Sequence, residues 1–335
     1  LTAVRGADGA ALVADATLAQ LADHAEAIAA AGYLPLITTP VRLSDDQAAA
    51  QIAAVQAQLE QPLTIAGYDP VSNTTTTWTV PAETLAAWLR VDSSGGQTRL
   101  SLDESQFGAY LTQLEGSLTN GDTFWISGQA YNLTERWQNG EPYTVILKEP
   151  ASTYTIQAGD TLLKISYQVD IPYWMIAAAN PEIDPDALPV GADLVIPSRS
   201  DLLPEPVVLG KRIVISISQQ RMTIYENGSV IREFVISTGV DRSPTQPGVF
   251  QIRTHELNAY ASVWDLYMPH FLGIYEAWPG FMNGIHGLPT LSNGTRLWES
   301  ILGKPASYGC IILSLDNAAW LYTWAETGVV VEIQA

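Results

Sequence analysis

The chain contains the stretch Tyr154-Thr155-Ile156-Gln157-Ala158-Gly159-Asp160-Thr161-Leu162, in which apolar and polar residues alternate before a Gly-Asp pair. Alternation with a period of two is typical of a half-buried strand, and Gly followed by Asp favours a turn. Two short apolar runs follow, and a second alternating run ends at Pro197. We therefore predict a strand, two short helices and a second strand over residues 151–200, with Asp160 as the cap of the first helix.

This βααβ pattern, with Ala177-Ala178-Ala179-Asn180-Pro181 near the end of the second helix, resembles a LysM domain. The LysM family binds glycans that contain N-acetylglucosamine, through the loop after the first strand and the loop before the second. The resemblance implies glycan-binding positions at Gly159, Asp160, Thr161, Leu162, Asn180, Pro181 and Ile183. In the alternative interpretation these residues only hold the turns.

The last third of the chain, residues 211–335, is rich in strand patterns. Arg212–Ser218, Arg221–Tyr225 and Val230–Ser237 alternate in hydropathy, and a fourth strand is predicted at Val249–Arg253. The pair Asn227-Gly228 favours a two-residue hairpin turn between the second and third of these strands. This part of the chain is therefore predicted to be mainly β.

Cys310 is the only cysteine in 335 residues, and His286 lies 24 positions before it. A single cysteine forms no internal disulfide and no thiolate zinc site, and it is most often a small buried apolar residue. A thiol with a histidine in the same region is also a candidate nucleophile. Because an ordinary thiol has a pKa near ~8.5, such a nucleophile needs a base or a cationic neighbour at neutral pH.

The same region resembles the L,D-transpeptidase catalytic domain of the YkuD type. The resemblance is carried, in this order, by Ser237-Thr238-Gly239, Pro244-Thr245-Gln246-Pro247-Gly248, Gly284-Ile285-His286-Gly287 and Ser307-Tyr308-Gly309-Cys310-Ile311. It implies a peptidoglycan acyltransferase in which Cys310 is the nucleophile and His286 is the base. The product would be a 3-3 cross-link or a related one.

The resemblance implies further roles for the neighbouring residues. The carbonyl of Gly287 orients the imidazole, Gly309 leaves room for substrate, and the backbone N–H groups of Tyr308, Gly309 and Cys310 stabilise the oxyanion. Substrate-binding positions are expected at Ser307, His270, Arg296 and Lys304. Arg296 and Lys304 are expected to replace a cation that the family carries and this chain lacks.

Three departures from the family pattern lie near the nucleophile. Tyr308 stands where the family commonly has His or Lys, and Ile312 stands where it has Arg or Asn. The span from His286 to Cys310 is also longer than usual, and its extra segment, Leu291–Lys304, is predicted to form either a wall of the groove or a surface excursion. These departures keep open the alternative of a noncatalytic peptidoglycan-binding wall protein.

The first 150 residues show an α+β pattern. A helix is predicted within residues 1–33, capped by Asp15 and stopped by Gly32, and a second helix is predicted after Ser44. Residues 34–150 resemble the peptidoglycan-binding-4 type of module, through Gln61-Pro62-Leu63-Thr64-Ile65 and Thr77-Trp78-Thr79-Val80-Pro81-Ala82-Glu83-Thr84-Leu85. An α+β spacer without a ligand is the alternative.

The predicted organisation is therefore multidomain. Residues 1–150 form an α+β module, of which 1–33 are compatible with the end of a preceding unit. Residues 151–200 form a small βααβ domain, and 201–210, with Pro204 and Pro206, form a semi-rigid linker. Residues 211–335 form a mainly-β catalytic domain.

Composition limits the partners. The chain has 35 acidic and 16 basic residues, a net charge of −19, which disfavours nucleic acid. No apolar run reaches the ~18 residues of a membrane span, and because the chain begins at Leu1 we expect either a mature exported protein or an N-terminal membrane anchor outside these residues. We expect peptidoglycan stem peptides and glycan strands as partners, an extracytoplasmic location in a bacterium, and no cofactor or metal. Sequence leaves an L,D-carboxypeptidase open as a further alternative.

Overall fold

The computed structural model describes residues 9–41, 45–92, 99–125, 132–296 and 299–335. The α-helices of these residues are α1 (Ala14–Asp23), α2 (Ala25–Ala31), α3 (Asp45–Glu60), α4 (Ala82–Trp88), α5 (Glu104–Glu115), α6 (Leu133–Gln138), α7 (Leu162–Val169), α8 (Tyr173–Ala179) and α9 (Leu315–Trp324). Short 3-10 helices lie at Arg199–Leu202 and Glu299–Ile301.

The strands of the N-terminal 150 residues are β1 (Gly9–Leu12), β2 (Thr38–Val41), β3 (Thr64–Asp69), β4 (Thr74–Thr79), β5 (Leu89–Asp92), β6 (Arg99–Leu102), β7 (Thr123–Trp125) and β8 (Tyr143–Lys148). The later strands are β9 (Ser152–Thr155), β10 (Asp193–Ile196), β11 (Lys211–Ser216), β12 (Arg221–Glu226), β13 (Ser229–Val235), β14 (Gly248–Gln251), β15 (Thr254–Ala261), β16 (Leu266–Trp278), β17 (Phe281–Gly287), β18 (Thr290–Leu291), β19 (Ile311–Leu313) and β20 (Val330–Gln334).

The chain divides into two compact units. The first consists of Leu1–Thr64, Thr79–Phe107 and Asn132–Pro142, and the second of Ile65–Trp78, Gly108–Tyr131 and Tyr143–Ala335. The second unit therefore combines part of the N-terminal sheet with the βααβ segment and the C-terminal strands. The predicted boundaries at residues 150, 200 and 210 stay a prediction.

The first unit is built from the antiparallel strand pairs β1–β2 and β5–β6 and from helices around a small apolar core. Buried side chains in that core include Leu63, Leu85 and Trp137. Gly32 ends α2 in the left-handed conformation, at φ 73°, as the sequence predicted. The predicted cap at Asp15 is wrong, because Val13 precedes the helix and Asp15 lies in its first turn. The predicted cap at Ser44 lies outside the described residues.

The βααβ segment has the predicted order. Strands β9 and β10 pair antiparallel, and α7 and α8 lie between them in the chain. The cap of α7 differs from the prediction, because Thr161 accepts the hydrogen bond from the Lys164 backbone N–H. The preceding Asp160 carboxylate instead binds Tyr154 Oη and the Gln157 N–H, both at 2.8 Å, which closes the turn after β9.

The C-terminal residues form two five-stranded sheets and the helix α9. The first sheet has the order β13-β12-β11-β20-β14, and the second has the order β15-β16-β17-β19, with β18 paired to β16. Asn227 and Gly228 have φ angles of 48° and 75°, which confirms the predicted hairpin turn between β12 and β13. Strand β19 pairs parallel to β17, and this pairing brings Ile311 opposite Ile285.

One continuous hydrophobic core joins the βααβ segment to these sheets. It contains Ile165 and Ile176 of the helices α7 and α8 together with Ile213, Phe250 and Leu272 of the sheets. The predicted linker 201–210 is packed as well, since Leu203 and Val207 lie in a cluster with Val249 and Val330. Residues 201–210 therefore connect two parts of the chain that share a core, and they are themselves packed against it.

These observations confirm the predicted fold class: mixed α and β at the N-terminus, a small βααβ segment and a mainly-β C-terminal part. In the described residues, no helix combines the length and the hydropathy needed to cross a membrane.

Candidate active site

The loop that carries Cys310, residues 307–310, leads directly into β19. It is fixed at both ends by the segment that follows β13. Ser237 exchanges two backbone hydrogen bonds with Ile312, and Gly239 forms a β-bridge with Ser307. The side chain of Ile312 is only 2% exposed, so this departure from the family pattern serves the core here. The loop is therefore attached to the two sheets and its backbone has little freedom.

Two hydroxyls hold the carbonyls of this loop. Ser243 Oγ donates to the Tyr308 carbonyl at 3.1 Å, and Thr245 Oγ1 donates to the Gly309 carbonyl at 2.9 Å. Thr245 is buried and also accepts from the Gly239 N–H at 2.9 Å, so its hydroxyl is fixed. Because a trans peptide bond is planar, holding the Gly309 carbonyl directs the Cys310 N–H to the opposite side.

Ser307 holds the turn from within. Its hydroxyl donates to the Cys310 carbonyl and accepts from the Gly309 N–H at 3.1 Å, and the residue is 5% exposed. This use of the side chain does not fit the predicted substrate-binding position at Ser307. It also occupies one of the three predicted oxyanion donors. The N–H groups of Tyr308 and Cys310 make no hydrogen bond within the described residues.

Gly309 has a φ of 111°, a conformation that a side chain disfavours. A Cβ added there would lie 2.6 Å from Asn283 Nδ2. The space beside this glycine is thus filled by the Asn283 carboxamide, whereas the sequence predicted that it leaves room for substrate.

His286 lies in β17, opposite Ile312 in the parallel pair with β19. Its Nδ1 is 2.7 Å from the Gly287 carbonyl, which can only accept a hydrogen bond, so Nδ1 carries the proton. Nε2 of the neutral ring is then the basic atom. The ring stacks on Phe271 and is buried, and this burial lowers the pKa of His286 to about 4. The imidazole is therefore neutral and able to accept a proton at neutral pH.

Cys310 is partly exposed, and its thiol donates to Asn283 Oδ1 at 3.5 Å. Burial raises the pKa of Cys310 to about 11, although a hydrogen bond from the Gly284 backbone acts in the opposite direction. The thiol and the imidazole are thus both neutral in the free protein. A preformed thiolate is absent because the apolar surroundings penalise the charge more than one N–H stabilises it.

A set of buried polar groups extends inward from the thiol, and we call Asn283, Tyr275 and Gln246 the buried polar layer. Asn283 Nδ2 donates to Tyr275 Oη, and the Gln246 N–H donates to the same hydroxyl, both at 3.0 Å. The Gln246 side chain then exchanges hydrogen bonds with Ser166 of α7, at 3.2 and 3.3 Å. Burial raises the pKa of Tyr275, which keeps its hydroxyl neutral. A hydrogen-bonded path therefore joins the βααβ segment to the thiol.

The other side of the loop is exposed, and we call Tyr308, Trp264 and Arg242 the exposed rim. The Tyr308 and Trp264 rings stack with centroids 5.6 Å apart. Arg242 donates to Tyr308 Oη at 2.9 Å, and its guanidinium carbon lies 5.3 Å from the centroid of that ring. Arg242 was not among the predicted substrate-binding residues.

Three further residues were predicted to bind substrate, and that role stays a prediction. The His270 ring packs edge-on against Tyr322 of α9, with centroids 5.5 Å apart, and makes no hydrogen bond to Cys310 or His286. Arg296 lies in a β-bridge with Thr290. Lys304 contributes its carbonyl, which accepts from Ser237 Oγ at 2.7 Å, while its side chain is exposed. Trp298 of the extra segment lies outside the described residues.

The predicted glycan-binding residues divide into internal and exposed ones. Leu162 is a core residue, and Asn180 is 2% exposed, with its side chain bonded to the backbone of Ile176 and Val195. The Asp160 side chain is 1% exposed and also binds Lys164. The remaining positions present accessible surface and are Gly159, Thr161, Pro181 and, in part, Ile183.

Other cavities do not include the thiol. One of about 690 Å³ is lined by strand and turn residues of the second unit such as Tyr68, Asn73, Arg212 and Asn227. In the described part of the chain, no group of three or more His, Cys, Asp or Glu side chains is arranged to hold a metal ion.

The sequence predicted roles for Cys310 and His286, but it predicted none for the residues that hydrogen-bond to the Cys310 loop and the thiol. Thr245 and Gln246 lay within a quoted motif but received no role, and Asn283 lay just before one. The only signal for Asn283 was its position, three residues before His286.

Comparison with known proteins assigns two segments. Residues 210–333 match the profile of the YkuD L,D-transpeptidase catalytic domain, and residues 154–197 match that of the LysM domain. A protein of Bacillus subtilis (strain 168) named as an L,D-transpeptidase, YkuD, is 28% identical over 185 residues, which cover 54% of this chain and 98% of the relative.

Solved structures of proteins named L,D-transpeptidases also match this chain, but with low TM-scores. An Enterococcus faecium L,D-transpeptidase with a C442S substitution is 18% identical, covering 84% of this chain and 99% of the other, with a TM-score of 0.33. An L,D-transpeptidase in complex with imipenem is 24% identical, covering 37% of this chain and 58% of the other, with a TM-score of 0.32. Because both TM-scores are low, the profiles and the Bacillus relative carry the assignment.

The predicted peptidoglycan-binding module of residues 34–150 is not confirmed and stays a prediction. The other two resemblances are confirmed: the chain carries a YkuD-type L,D-transpeptidase catalytic domain together with a LysM domain.

Proposed function

We propose that this chain is an extracytoplasmic peptidoglycan L,D-transpeptidase that works through a thioester on Cys310. The observation that carries the proposal is the contact between His286 Nδ1 and the Gly287 carbonyl at 2.7 Å. That contact fixes the tautomer and leaves Nε2 as a base in a strand that pairs with the continuation of the Cys310 loop. Strand β17 therefore carries the base, and the pairing of His286 with Ile312 places it two residues along the register from the only cysteine of the chain.

In the first half-reaction, Cys310 Sγ attacks the carbonyl carbon that precedes the terminal D-amino acid of a tetrapeptide stem. The thiol proton passes to His286 Nε2 as the S–C bond forms, and then to the leaving nitrogen as the C–N bond breaks. Because both groups are neutral beforehand, the sulfur gives up its proton to His286 only as it bonds to an electrophilic carbon.

The oxyanion of the intermediate is stabilised by backbone N–H groups. Since the Gly309 N–H is bonded to Ser307 Oγ, we assign this role to the N–H groups of Cys310 and Tyr308. Thr245 and Ser243 act as positioning residues, because they hold the carbonyls on either side of Gly309. An oxyanion donor such as the Cys310 N–H typically stabilises the transition state by ~3–4 kcal/mol.

In the second half-reaction an amine of a neighbouring stem attacks the thioester. Its proton passes to His286, the S–C bond breaks, and the sulfur recovers a proton. If water attacks instead, the same site is an L,D-carboxypeptidase. The LysM domain would keep the chain on glycan strands and so raise the local concentration of stems.

The test is incubation with a purified disaccharide-tetrapeptide, for the wild type and for Cys310→Ala. We expect the wild type to release D-Ala and to form a dimer of one stem with another, and Cys310→Ala to do neither. Release of D-Ala without a dimer would identify the carboxypeptidase. No release by the wild type would support the noncatalytic wall protein.

A further inference from the structure

Most cations with described contacts in this chain are paired with carboxylates. Ion pairs join Arg90 to Asp103, Arg136 to Glu141, Lys164 to Asp160, Arg199 to Glu149, Lys211 to Glu326 and Arg212 to Glu332. This is the expected outcome when 35 acidic residues accompany 16 basic ones. Lys148, Arg232 and Arg242 instead contact aromatic rings, and Arg242 alone of these three does so at a residue of the Cys310 loop, Tyr308.

The guanidinium of Arg242 is held and still available. One of its nitrogens donates to Tyr308 Oη, which fixes the group beside the residue that lies two positions before Cys310. A guanidinium has five N–H donors, so four of them are free of that contact. Arg242 is also exposed, and an exposed planar cation with free donors is suited to bind a carboxylate through two parallel hydrogen bonds.

No neighbouring carboxylate forms an ion pair with Arg242 in the described residues. Asp265, on the turn near Trp264, is bonded through its carboxylate to Tyr260 Oη at 3.0 Å and to Ser292 Oγ at 2.6 Å. Asp241 is adjacent in sequence and exposed, and no ion pair joins it to Arg242 in the described residues. In a chain with a net charge of −19, a carboxylate ligand needs such a local cation to approach the site at all.

Aromatic rings continue the rim away from Arg242. Trp264 stacks on Tyr308, and Phe281 packs edge-on against Trp264 with centroids 5.4 Å apart. Trp278 in turn stacks on Phe281 at 4.1 Å and is 43% exposed. The rings therefore form a series of contacts from Trp278 to Tyr308, and Arg242 lies at the Tyr308 end.

We propose that Arg242, oriented by Tyr308, forms a carboxylate subsite for the acyl donor, a proposal that rests on the function proposed above. It takes the role that the sequence had assigned to Arg296 and Lys304. The ligand of this subsite is a carboxylate near the reacting carbonyl, and a stem peptide has two such carboxylates. One is the terminal carboxylate of the leaving D-amino acid, and the other is a side-chain carboxylate of the third residue.

The first experiment uses Cys310 as its own reporter, because no other thiol is present. Alkylation rates are measured with iodoacetate and with iodoacetamide, which differ in charge, and their ratio is normalised to that of free cysteine. We expect Arg242→Gln to lower the ratio about fivefold, as for a charge pair near a surface, and Arg242→Lys to restore part of it. A change that only loosens the loop alters both rates and leaves the ratio unchanged.

Control variants remove one positive charge, as Arg242→Gln does, but at other positions. Arg221→Gln, at an exposed position of β12, controls for net charge and should leave the ratio at the wild-type value. An unchanged ratio in Arg242→Gln, or a fall in Arg296→Gln or Lys304→Gln instead, would overturn the subsite. If wild-type Cys310 reacts no faster than a buried inert thiol with either reagent, the proposed nucleophile fails and the subsite fails with it.

The second experiment separates the two carboxylates. Donor stems are compared with the terminal carboxylate free or amidated, and with the third residue's carboxylate free or amidated. Arg242→Gln should raise KM about fivefold for the donor with both groups free, and this difference should disappear when the carboxylate bound by Arg242 is amidated. A KM difference that persists in both amidated donors contradicts the subsite.

Discussion

The buried polar layer contacts the Cys310 thiol, the exposed rim includes Tyr308 of the same loop, and the two are built from different groups. In the buried polar layer, Asn283, Tyr275 and Gln246 are neutral, and their hydrogen bonds are made within the protein. In the exposed rim, Tyr308 is 38% exposed and Arg242 keeps free donors. Proton transfer requires fixed partners in a low dielectric, whereas recognition of a variable ligand requires accessible groups. The comparison therefore predicts rate effects from the buried side and binding effects from the rim.

The largest expected effect on the buried side is that of His286→Gln. Loss of the base should lower the rate of Cys310 acylation by about 10²–10⁴-fold. The pH profile of alkylation by iodoacetamide provides the measurement. In the wild type the rate should rise with pH through about 4, as His286 loses its proton, stay nearly constant, and rise again towards about 11 as the thiolate forms.

In His286→Gln the lower rise should vanish and only the rise towards about 11 should remain. A wild-type profile with one rise near the ordinary thiol pKa of ~8.5 would contradict the assigned base.

Gly309→Ala should have the next largest effect. The added Cβ would meet Asn283 Nδ2 at 2.6 Å and would also force a side chain to a φ of 111°. Displacement of the thiol by about 1 Å is expected to lower kcat about 100-fold. Gly228→Ala is the matched control, because its φ is 75° with nothing within 4 Å, so it shares the backbone strain without the clash. Equal kcat values for the two variants would refute the role of the close approach.

Thr245→Val should lower kcat by about tenfold, less than the 10²–10³ that follows removal of an oxyanion donor itself. The substitution conserves shape but releases the Gly309 carbonyl, so that the Cys310 N–H is no longer held. Steady-state kinetics should give an unchanged KM, and Thr245→Ser, which keeps the hydroxyl, should recover most of the activity. A Thr245→Ser variant as slow as Thr245→Val would show that the methyl group matters instead.

The smallest effect is expected from the rim. Tyr308→Phe removes the acceptor of the Arg242 hydrogen bond but keeps the stacking with Trp264. We expect a KM increase of about twofold to threefold with kcat unchanged, since an exposed hydrogen bond contributes less than ~1 kcal/mol. A fall in kcat without a change in KM would place Tyr308 with the chemistry and would break the distinction between the two sides.

The sequence predicted the residues whose chemical type is rare in the chain. Cys310 and His286 were predicted because one thiol and one His-Gly pair stand in an ordered set of motifs. The LysM segment, which is confirmed, was recognised because its hydrophobic period changes within a few residues. The prediction of Asp160 as a cap was wrong because Asp160 and Thr161 are both able to cap a helix, and only the packing of Tyr154 decides between them.

Arg242 and Asn283 were missed for a different physical reason. Arg242 reaches Tyr308 only because the segment after β13 pairs with the Cys310 loop through Gly239 and Ser307, far apart in the chain. Asn283 is a neutral amide whose partners come from β16 and from the loop before β19. Contacts of this kind depend on the register of the sheets, which no local pattern specifies.

The most direct measurement is the intact mass of the protein after incubation with a carbapenem, for the wild type, Cys310→Ala and His286→Gln. Carbapenems resemble the acyl donor of the L,D-transpeptidase family. We predict one covalent adduct on the wild type, none on Cys310→Ala, and an adduct that forms at least about 100-fold more slowly on His286→Gln. An unmodified wild type, or equal rates for the wild type and His286→Gln, would contradict a Cys310 nucleophile that depends on His286.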